Sequence, residues 1–171
     1  MAILTNTSKV DNAIRLYKDA QSMYFGLGRS VTPWNDDANP DTPNPSDTSI
    51  NELIGMKKVT SVSLAVPVDT QQGSNTVTYN GKYYELVGLA DAYTRGAHYV
   101  YISVNILQTD FNAKTYRSVG LFSQPVFKSG VVGDTVQSGY ITSQGRLQAV
   151  DNVSTKSRDG LDILQYILIE A

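Results

Sequence analysis

Short segments of the chain alternate between apolar and polar residues, which is the pattern of half-buried β-strands. The clearest is 98–107, where Val and Ile occupy every second position and Tyr, Ser and Asn lie between them. Segments 62–68, 115–122 and 141–150 also predict strands. Segment 161–169 is apolar on both faces, so we expect it to be central in its sheet or covered by a partner. The pattern as a whole indicates a mainly β protein.

Local signals predict one hairpin and short helical pieces between the strands. Asn80-Gly81 lies between two strand-like segments, and this pair is preferred in two-residue hairpins because both positions tolerate positive φ. Residues 89–95 read as a short helix that ends at Gly96. Residues 50–55 predict one helical turn.

A helical segment is predicted at the N-terminus, over residues 1–22. Thr7 or Ser8 is the candidate cap, and we expect the helix to end near Ser22. Its apolar face consists of Val10, Ala13, Ile14, Tyr17 and Ala20. The predicted fold is one mainly β, antiparallel, β-sandwich-like domain over residues 1–171, with this N-terminal helix and one or two short helices. Within it, residues 23–49 form a motif strand and a long proline-rich loop, and residues 50–171 form the β core.

The proline-rich loop differs from the rest of the chain. A short glycine-containing strand over 23–28 precedes it, and the glycines indicate close backbone approach or a bulge. Residues 29–49 then hold four of the six prolines. Loops of this length are usually functional or disordered, and Trp34 argues against disorder because its large apolar ring needs a partner. Two interpretations stay open: a segment that docks on a neighbouring subunit, or a rigid loop folded back on its own domain with Trp34 as a plug.

Composition and charge exclude several classes of function. The net charge is −2, and Lys57-Lys58, most simply a solvated strand edge, is the one cationic pair, so a nucleic-acid-binding stripe is not expected. The absence of cysteine excludes disulfides and thiolate sites, and a single histidine excludes a two-histidine metal site within one chain. The sequence has no transmembrane-length apolar run and no secretory signal pattern. We expect no cofactor, metal or membrane, and a reducing cytoplasm as the place of synthesis.

The sequence offers little for catalysis. His98 shares a face with Val100, so a structural role facing the core is favoured. No Gly-x-Ser-x-Gly elbow presents a serine. Asp36 and Asp37 are a candidate carboxylate pair, but adjacent residues of an extended loop point in different directions, which favours a solvated turn. Eleven tyrosines suggest interfaces or a sugar-binding surface, although packing within strands explains most of them.

The loop motif resembles the signature of a baseplate wedge subunit family of contractile-tailed bacteriophages. The residues that carry it are Tyr24-Phe25-Gly26-Leu27-Gly28-Arg29-Ser30, Thr32-Pro33-Trp34 and Asp36-Asp37. Further blocks are similar to the family in the same order, namely 54–59, 62–67, 116–122, 145–147, 151–153 and 163–169. The resemblance therefore spans nearly the whole chain. Well-known family members are longer, so this chain resembles a short, trimmed member.

The resemblance implies a non-enzymatic structural subunit of a phage virion, in the tail or baseplate. Its expected partners are other virion proteins, with a homo-oligomer or dimer inside a six-fold assembly that forms in the host bacterial cytoplasm. The subunit-interface candidates are Tyr24, Phe25, Arg29, Pro33, Trp34, Asp36, Asp37 and Pro40. The alternatives are a neck or head-tail connector subunit, a glycan-binding β-sandwich that uses Tyr99 and Tyr101, and a hydrolase that uses Asp36 or Asp37.

Overall fold

A computed structural model describes residues 3–71 and 73–171. Strands hold 43% of the residues, the sheets are antiparallel, and an N-terminal and a short helix are present, which confirms the predicted fold class. The elements are α1 Asn6–Ala20, β1 Tyr24–Gly28, β2 Gly55–Lys58, β3 Ser61–Val68, β4 Thr76–Tyr79, β5 Lys82–Val87, α2 Ala92–Arg95, β6 Tyr99–Ile106, β7 Thr115–Ser123, β8 Val126–Phe127, β9 Thr135–Gln137, β10 Ile141–Ser143, β11 Arg146–Ser157 and β12 Ile163–Glu170.

The chain forms two compact units. Unit 1 comprises residues 3–21, 60–103 except 72, and 166–171, and unit 2 comprises residues 22–59 and 104–165. Compactness alone does not make a unit an independently folding domain, so a single domain over residues 1–171 stays a prediction.

Unit 1 holds most of a five-stranded sheet with the strand order β12-β6-β3-β5-β4. Helix α1 packs against β3, with Val10, Ala13 and Ala20 buried. The N-cap of α1 is Thr5, whose hydroxyl accepts a hydrogen bond from the Ser8 N–H at 3.2 Å. The predicted cap at Thr7 or Ser8 is therefore wrong by two or three residues.

The predicted hairpin and short helix of unit 1 are confirmed. Asn80 and Gly81 have φ values of 48° and 75° and join β4 to β5. Both central residues thus adopt the positive φ that a tight two-residue turn requires. A 3₁₀ turn over Leu89–Asp91 leads into α2, which ends at Gly96 with a φ of 63°.

The last strand differs from its prediction. Of the described strands in its sheet, β12 is the outermost, and Ile167 is buried whereas Leu164 is 57% exposed. The expectation of a central strand buried on both faces is therefore wrong for β12. A run of apolar residues indicates that surface is to be covered, but it does not say by what.

Unit 2 contains a five-stranded sheet of order β11-β7-β1-β2-β9 and the pair β8-β10. Its core cluster is built on Ile50, Met56 and Phe122. Residues 29–54 contain no helix or strand, which confirms the long loop.

Two local predictions within unit 2 are corrected. Residues 50–55 do not form a helical turn because their backbone bonds elsewhere: the Gln144 side chain bonds both the N–H and the C=O of Ile50, and the Ile54 N–H donates to the Leu27 carbonyl. The predicted strand over 141–150 is split into β10 and β11 by Gly145, whose φ is 79°.

Gly28 confirms the expectation of close backbone approach. A Cβ at this position would lie 2.6 Å from the Asn51 carbonyl oxygen. We expect Gly28→Ala to lower the free energy of unfolding by about 1–3 kcal/mol through overpacking. Gly139→Ala is the matched control, because a Cβ there would meet nothing within 4 Å. Urea unfolding measures both variants, and equal midpoints would contradict the close approach.

Candidate subunit interface on the proline-rich loop

The proline-rich loop begins at a sharp change of direction after β1. Arg29 adopts a φ of 52°, in the left-handed region. Its guanidinium lies 3.7 Å from the centroid of the Trp34 ring and donates to the Pro33 carbonyl oxygen at 3.1 Å. A cation above an indole ring is attracted by the π-electron density, which holds the first turn of the loop together.

Trp34 anchors the loop to its own unit. The side chain is only 7% exposed, and its Nε1–H donates to the Val153 carbonyl of β11 at 2.8 Å. The structure thus shows Trp34 folded back on unit 2, as in the second interpretation of the sequence. A buried indole normally satisfies its N–H in this way.

Asp37 and Arg117 attach the loop at two further points. The Asp37 carboxylate accepts from the N–H of Thr155 at 2.9 Å and from its hydroxyl at 2.6 Å, and these hydrogen bonds lower the pKa of Asp37. Arg117 donates through Nε to the same hydroxyl at 2.8 Å and through one terminal nitrogen to the carbonyl oxygens of Arg29 and Ser30, each at 3.2 Å. Arg117 therefore links β11 to the start of the loop.

Asp36 has different partners from Asp37. It accepts from the Ala38 N–H at 3.0 Å and from the Asn39 side-chain amide at 2.7 Å, closing a local turn. The two carboxylates thus point to different groups, as expected for neighbours in an extended loop. No group of three or more His, Asp or Glu side chains in the described part of the chain is placed to hold a metal ion.

Glu52 ties the end of the loop back to its beginning. It accepts hydrogen bonds from the Thr32 hydroxyl, the Val31 N–H at 2.8 Å and the Thr32 N–H at 3.1 Å. The Thr32 hydroxyl contributes most, followed by the two N–H groups and the nearby charge of Arg29, and together they lower the pKa of Glu52 from 4.5 to about 2.

The other interface candidates divide into buried and accessible residues. Phe25 is 1% exposed within unit 2. Tyr24 is half-buried, with its ring edge-on to Phe127 at 5.2 Å, and burial raises its pKa. Pro33 is exposed, as are both aspartates of the motif, and Pro40 is half-buried. An interface role for the eight candidates stays a prediction. The accessible residues among them are able to contact a partner without any rearrangement of the loop.

Three residues outside the loop are placed differently from the sequence interpretation. His98 precedes β6 and is 27% exposed rather than turned into the core; its Nδ1 lies 2.8 Å from the Gly96 carbonyl oxygen. Lys57 is not a solvated edge residue, because it forms a 2.5 Å ion pair with Asp110 and is 14% exposed. Tyr101 is only 6% exposed, so it does not offer the sugar-binding surface considered above.

Comparisons with known proteins bear on the identity of this chain. A family model described as "Baseplate wedge 3 tail fiber network component" matches residues 1–163. The chain belongs to this family. It is also 32% identical over 168 residues to "Virion protein 3" of Enterococcus phage phiEF24C, an alignment that covers 96% of this chain and 92% of that protein. The resemblance read from the loop motif is confirmed, and the short form is shared by this relative.

Both matches point to a structural component of a phage virion. The motif strand and the loop lie inside the region that the baseplate wedge family model matches. The loop is therefore part of what this chain shares with the family. Among the described residues, no helix has the length and apolar character needed to cross a membrane.

Sequence reasoning missed the residues that hold the loop in place. Glu52, Arg117 and Gln144 each bond to the loop from a distant or nondescript position in the sequence. Arg117 lies in the family block 116–122, but that block does not indicate a bond to the loop, and neither Glu52 nor Gln144 stands in a motif with a chemical signature. The only available signal was composition, since a loop this rich in exposed backbone needs partners for its N–H and C=O groups.

The low pKa of Glu52 predicts an acid-sensitive loop. Because the folded-state pKa lies below the unfolded value, the contribution of Glu52 is fully present above about pH 4.5 and is lost as the pH falls towards about 2. We expect Glu52→Gln to destabilise the chain at neutral pH and the difference from the unsubstituted chain to shrink over that range. Urea unfolding at a series of pH values measures it.

Thr32→Val is the companion variant for this prediction. It removes the hydroxyl that contributes most to the shift and leaves both N–H groups, so part of the pH dependence should remain. A difference between the unsubstituted chain and Glu52→Gln that is constant with pH would contradict the assignment.

Proposed function

We propose that this chain is a non-enzymatic structural subunit of the phage tail baseplate wedge, and that it joins neighbouring virion subunits. The observation that carries the proposal is the family match over residues 1–163, supported by the virion relative at 32% identity. The geometry agrees with this role, because the conspicuous motif of the chain forms an attached loop rather than a reactive centre.

The attachment of the loop is what suits it to hold a neighbour. Phe25 and Trp34 are buried in unit 2, and Asp37 and Glu52 bond to backbone groups. A segment that is already ordered loses less conformational entropy when it binds, so more of the contact energy appears as affinity. In this proposal the buried motif residues fix the loop, and accessible residues such as Pro33 contact the partner.

The proposed partners are other virion proteins of the tail or baseplate. We further propose that the chain acts as a homo-oligomer or dimer within a six-fold assembly, formed in the host bacterial cytoplasm. A neck or head-tail connector position is the alternative address for the same structural role. Nucleic acid and membrane are not among the proposed partners.

Cross-linking mass spectrometry on purified phage particles tests the proposal. Lysine-reactive cross-linkers suit this chain because Lys58, Lys82, Lys114, Lys128 and Lys156 are exposed. Links from these lysines to baseplate or tail proteins are the expected result and would name the neighbours. Links to portal or neck proteins would support the connector alternative instead. Absence of the chain from the particles would overturn the structural role.

A further inference from the structure

A groove in unit 2 is not explained by the contacts that hold the loop. It lies between residues 43–47 of the loop and residues 147–150 of β11. Two clefts lie along it, one of about 360 Å³ and one of about 370 Å³. Asn44, Asp47 and Val150 line both clefts, so the two are adjacent.

The groove follows the edge of a sheet. β11 is the outermost described strand in its sheet, and the loop covers only part of it. Trp34 and Asp37 bond to the backbone of Val153 and Thr155, and the Asn152 side chain donates to the Asp41 carbonyl oxygen at 2.8 Å. In the part of the chain that the structure describes, no hydrogen bond joins residues 43–47 to residues 147–150. This half of the edge is therefore left open, and exposed sheet edges accept an added extended segment.

The two clefts differ in chemistry. The first is lined mainly by polar loop residues, including the exposed Asp41 and Asp47. The second brings together Pro43, Pro45 and Leu147 and is more apolar. A bound segment would therefore place a polar or charged side chain in the first cleft and an apolar one in the second.

Charge decides which polar side chain fits. Residues 29–54 contain five acidic residues and one basic residue, Arg29. Asp36, Asp37 and Glu52 bond to nearby N–H and hydroxyl groups, and Asp47 accepts from the Asn44 N–H at 3.3 Å. Among the described residues, no cation lies within ion-pair distance of Asp41 or Asp47. Arg29 also lines the first cleft, but its guanidinium lies on the Trp34 ring and donates to the Pro33 carbonyl, and the carboxylates of Asp41 and Asp47 outnumber it there.

We propose that this groove receives an extended, basic segment of a neighbouring virion protein, with a lysine side chain between Asp41 and Asp47 and an apolar side chain against Pro43, Pro45 and Leu147. The proposal rests on the structural role proposed above and names the chemistry of one contact. Opposite charge across the contact favours fast association and selects the partner.

Carbodiimide chemistry tests the groove, because it joins a carboxylate directly to a lysine amine with loss of water. The free chain and intact particles are treated with carbodiimide and glycine ethyl ester, and the modified residues are located by mass spectrometry. In the free chain, the amine of glycine ethyl ester should become attached to the carboxylates of both Asp41 and Asp47, which are exposed. In particles, their labelling should fall to background, and a zero-length link should join one of them to a lysine of another virion protein.

Two variants sharpen the test. Particles that carry the double substitution Asp41→Asn and Asp47→Asn should lose this link and fall apart at lower salt than the unsubstituted ones. The double substitution Asp69→Asn and Asp134→Asn is the matched control: it also removes two negative charges, at exposed residues outside both clefts, and should leave the link in place.

The possible outcomes distinguish the proposed contact at the groove from the proposed structural role in the virion. If Asp41 and Asp47 stay fully labelled in particles that contain the chain, the proposed contact at the groove is wrong and the structural role is unaffected. Protection without any link to lysine would overturn the lysine that the proposal places in the first cleft. Absence of all peptides of this chain from the particles would overturn both proposals.

Discussion

Trp34→Ala should lower the free energy of unfolding of the isolated chain by about 3–5 kcal/mol, the range for truncating a buried aromatic residue. The side chain is 7% exposed, carries the Arg29 guanidinium on its ring and donates to the Val153 carbonyl. Its removal leaves a cavity, a part-buried carbonyl without its donor and the Arg29 cation without its aromatic partner. Urea unfolding followed by circular dichroism measures the loss, since the variant has no tryptophan to observe.

Trp34→Phe separates the ring from its N–H. Phenylalanine keeps most of the apolar surface and loses the bond to Val153, so we expect a smaller loss of about 1–2 kcal/mol. Pro33→Ala is the neighbouring control, because Pro33 is exposed and its carbonyl, which Arg29 uses, is retained. If Trp34→Ala left the unfolding midpoint unchanged, the anchoring role of Trp34 would be wrong.

This expectation changes how the interface hypothesis is to be tested. A defect in particle assembly with Trp34→Ala would have two sources, a lost contact and a loosened loop. Substitutions at Pro33 and Asp36 disturb less of the interior, because both side chains are exposed. Assembly defects in those variants, with unfolding midpoints near that of the unsubstituted chain, would support the interface directly.

The parts of the fold that the sequence predicted well are specified by neighbouring residues. Asn80-Gly81 encodes a tight turn by its tolerance of positive φ, and the alternation in β6 encodes burial with period 2. Gly96 ends the short helix for the same reason of backbone conformation. Each of these signals lies within about ten residues of the structure that it predicts.

The parts that the sequence did not predict depend on partners far along the chain. Glu52 bonds to residues 20 and 21 positions away, and Arg117 to residues 87 and 88 positions away. Any carboxylate or guanidinium of the chain could have served in these places before the fold was known. The helix cap failed for a local reason, because Thr5, Thr7 and Ser8 are all competent caps within four positions.

The candidate site shows the same division. The loop motif identified the family and the segment that matters, but its side chains alone left the docking and fold-back interpretations open. What separates them is whether Trp34 has a partner in its own chain, and that partner, the Val153 carbonyl, lies 119 positions away. A backbone carbonyl has no sequence signature, so no pattern could have indicated it.

Arg158→Ala should be the second strongly destabilising substitution, with a loss of about 3–5 kcal/mol, because it removes two hydrogen bonds from a charged group, each of which contributes about 1.5–3 kcal/mol. Arg158 is 3% exposed, and its terminal nitrogens donate to the carbonyl oxygens of Leu107 at 2.6 Å and Ala113 at 2.9 Å. It therefore fastens the connection between β6 and β7. Without the guanidinium, those carbonyls lose their donors at part-buried positions. Urea unfolding at pH 7 measures the loss.

Arg158→Lys and Lys114→Ala complete the experiment. Lysine keeps the charge but cannot span two separate carbonyls with a planar fork, so Arg158→Lys should retain only part of the stability. Lys114 pairs with Asp159 beside this site, but both side chains are about 70% exposed, and exposed pairs contribute only about 0–1 kcal/mol. If the Arg158 and Lys114 variants to alanine lost similar stability, charge alone would explain the effect. A much larger loss at Arg158 would show that its part-buried hydrogen bonds to the β6–β7 connection, which no sequence pattern marked, hold this part of unit 2 together.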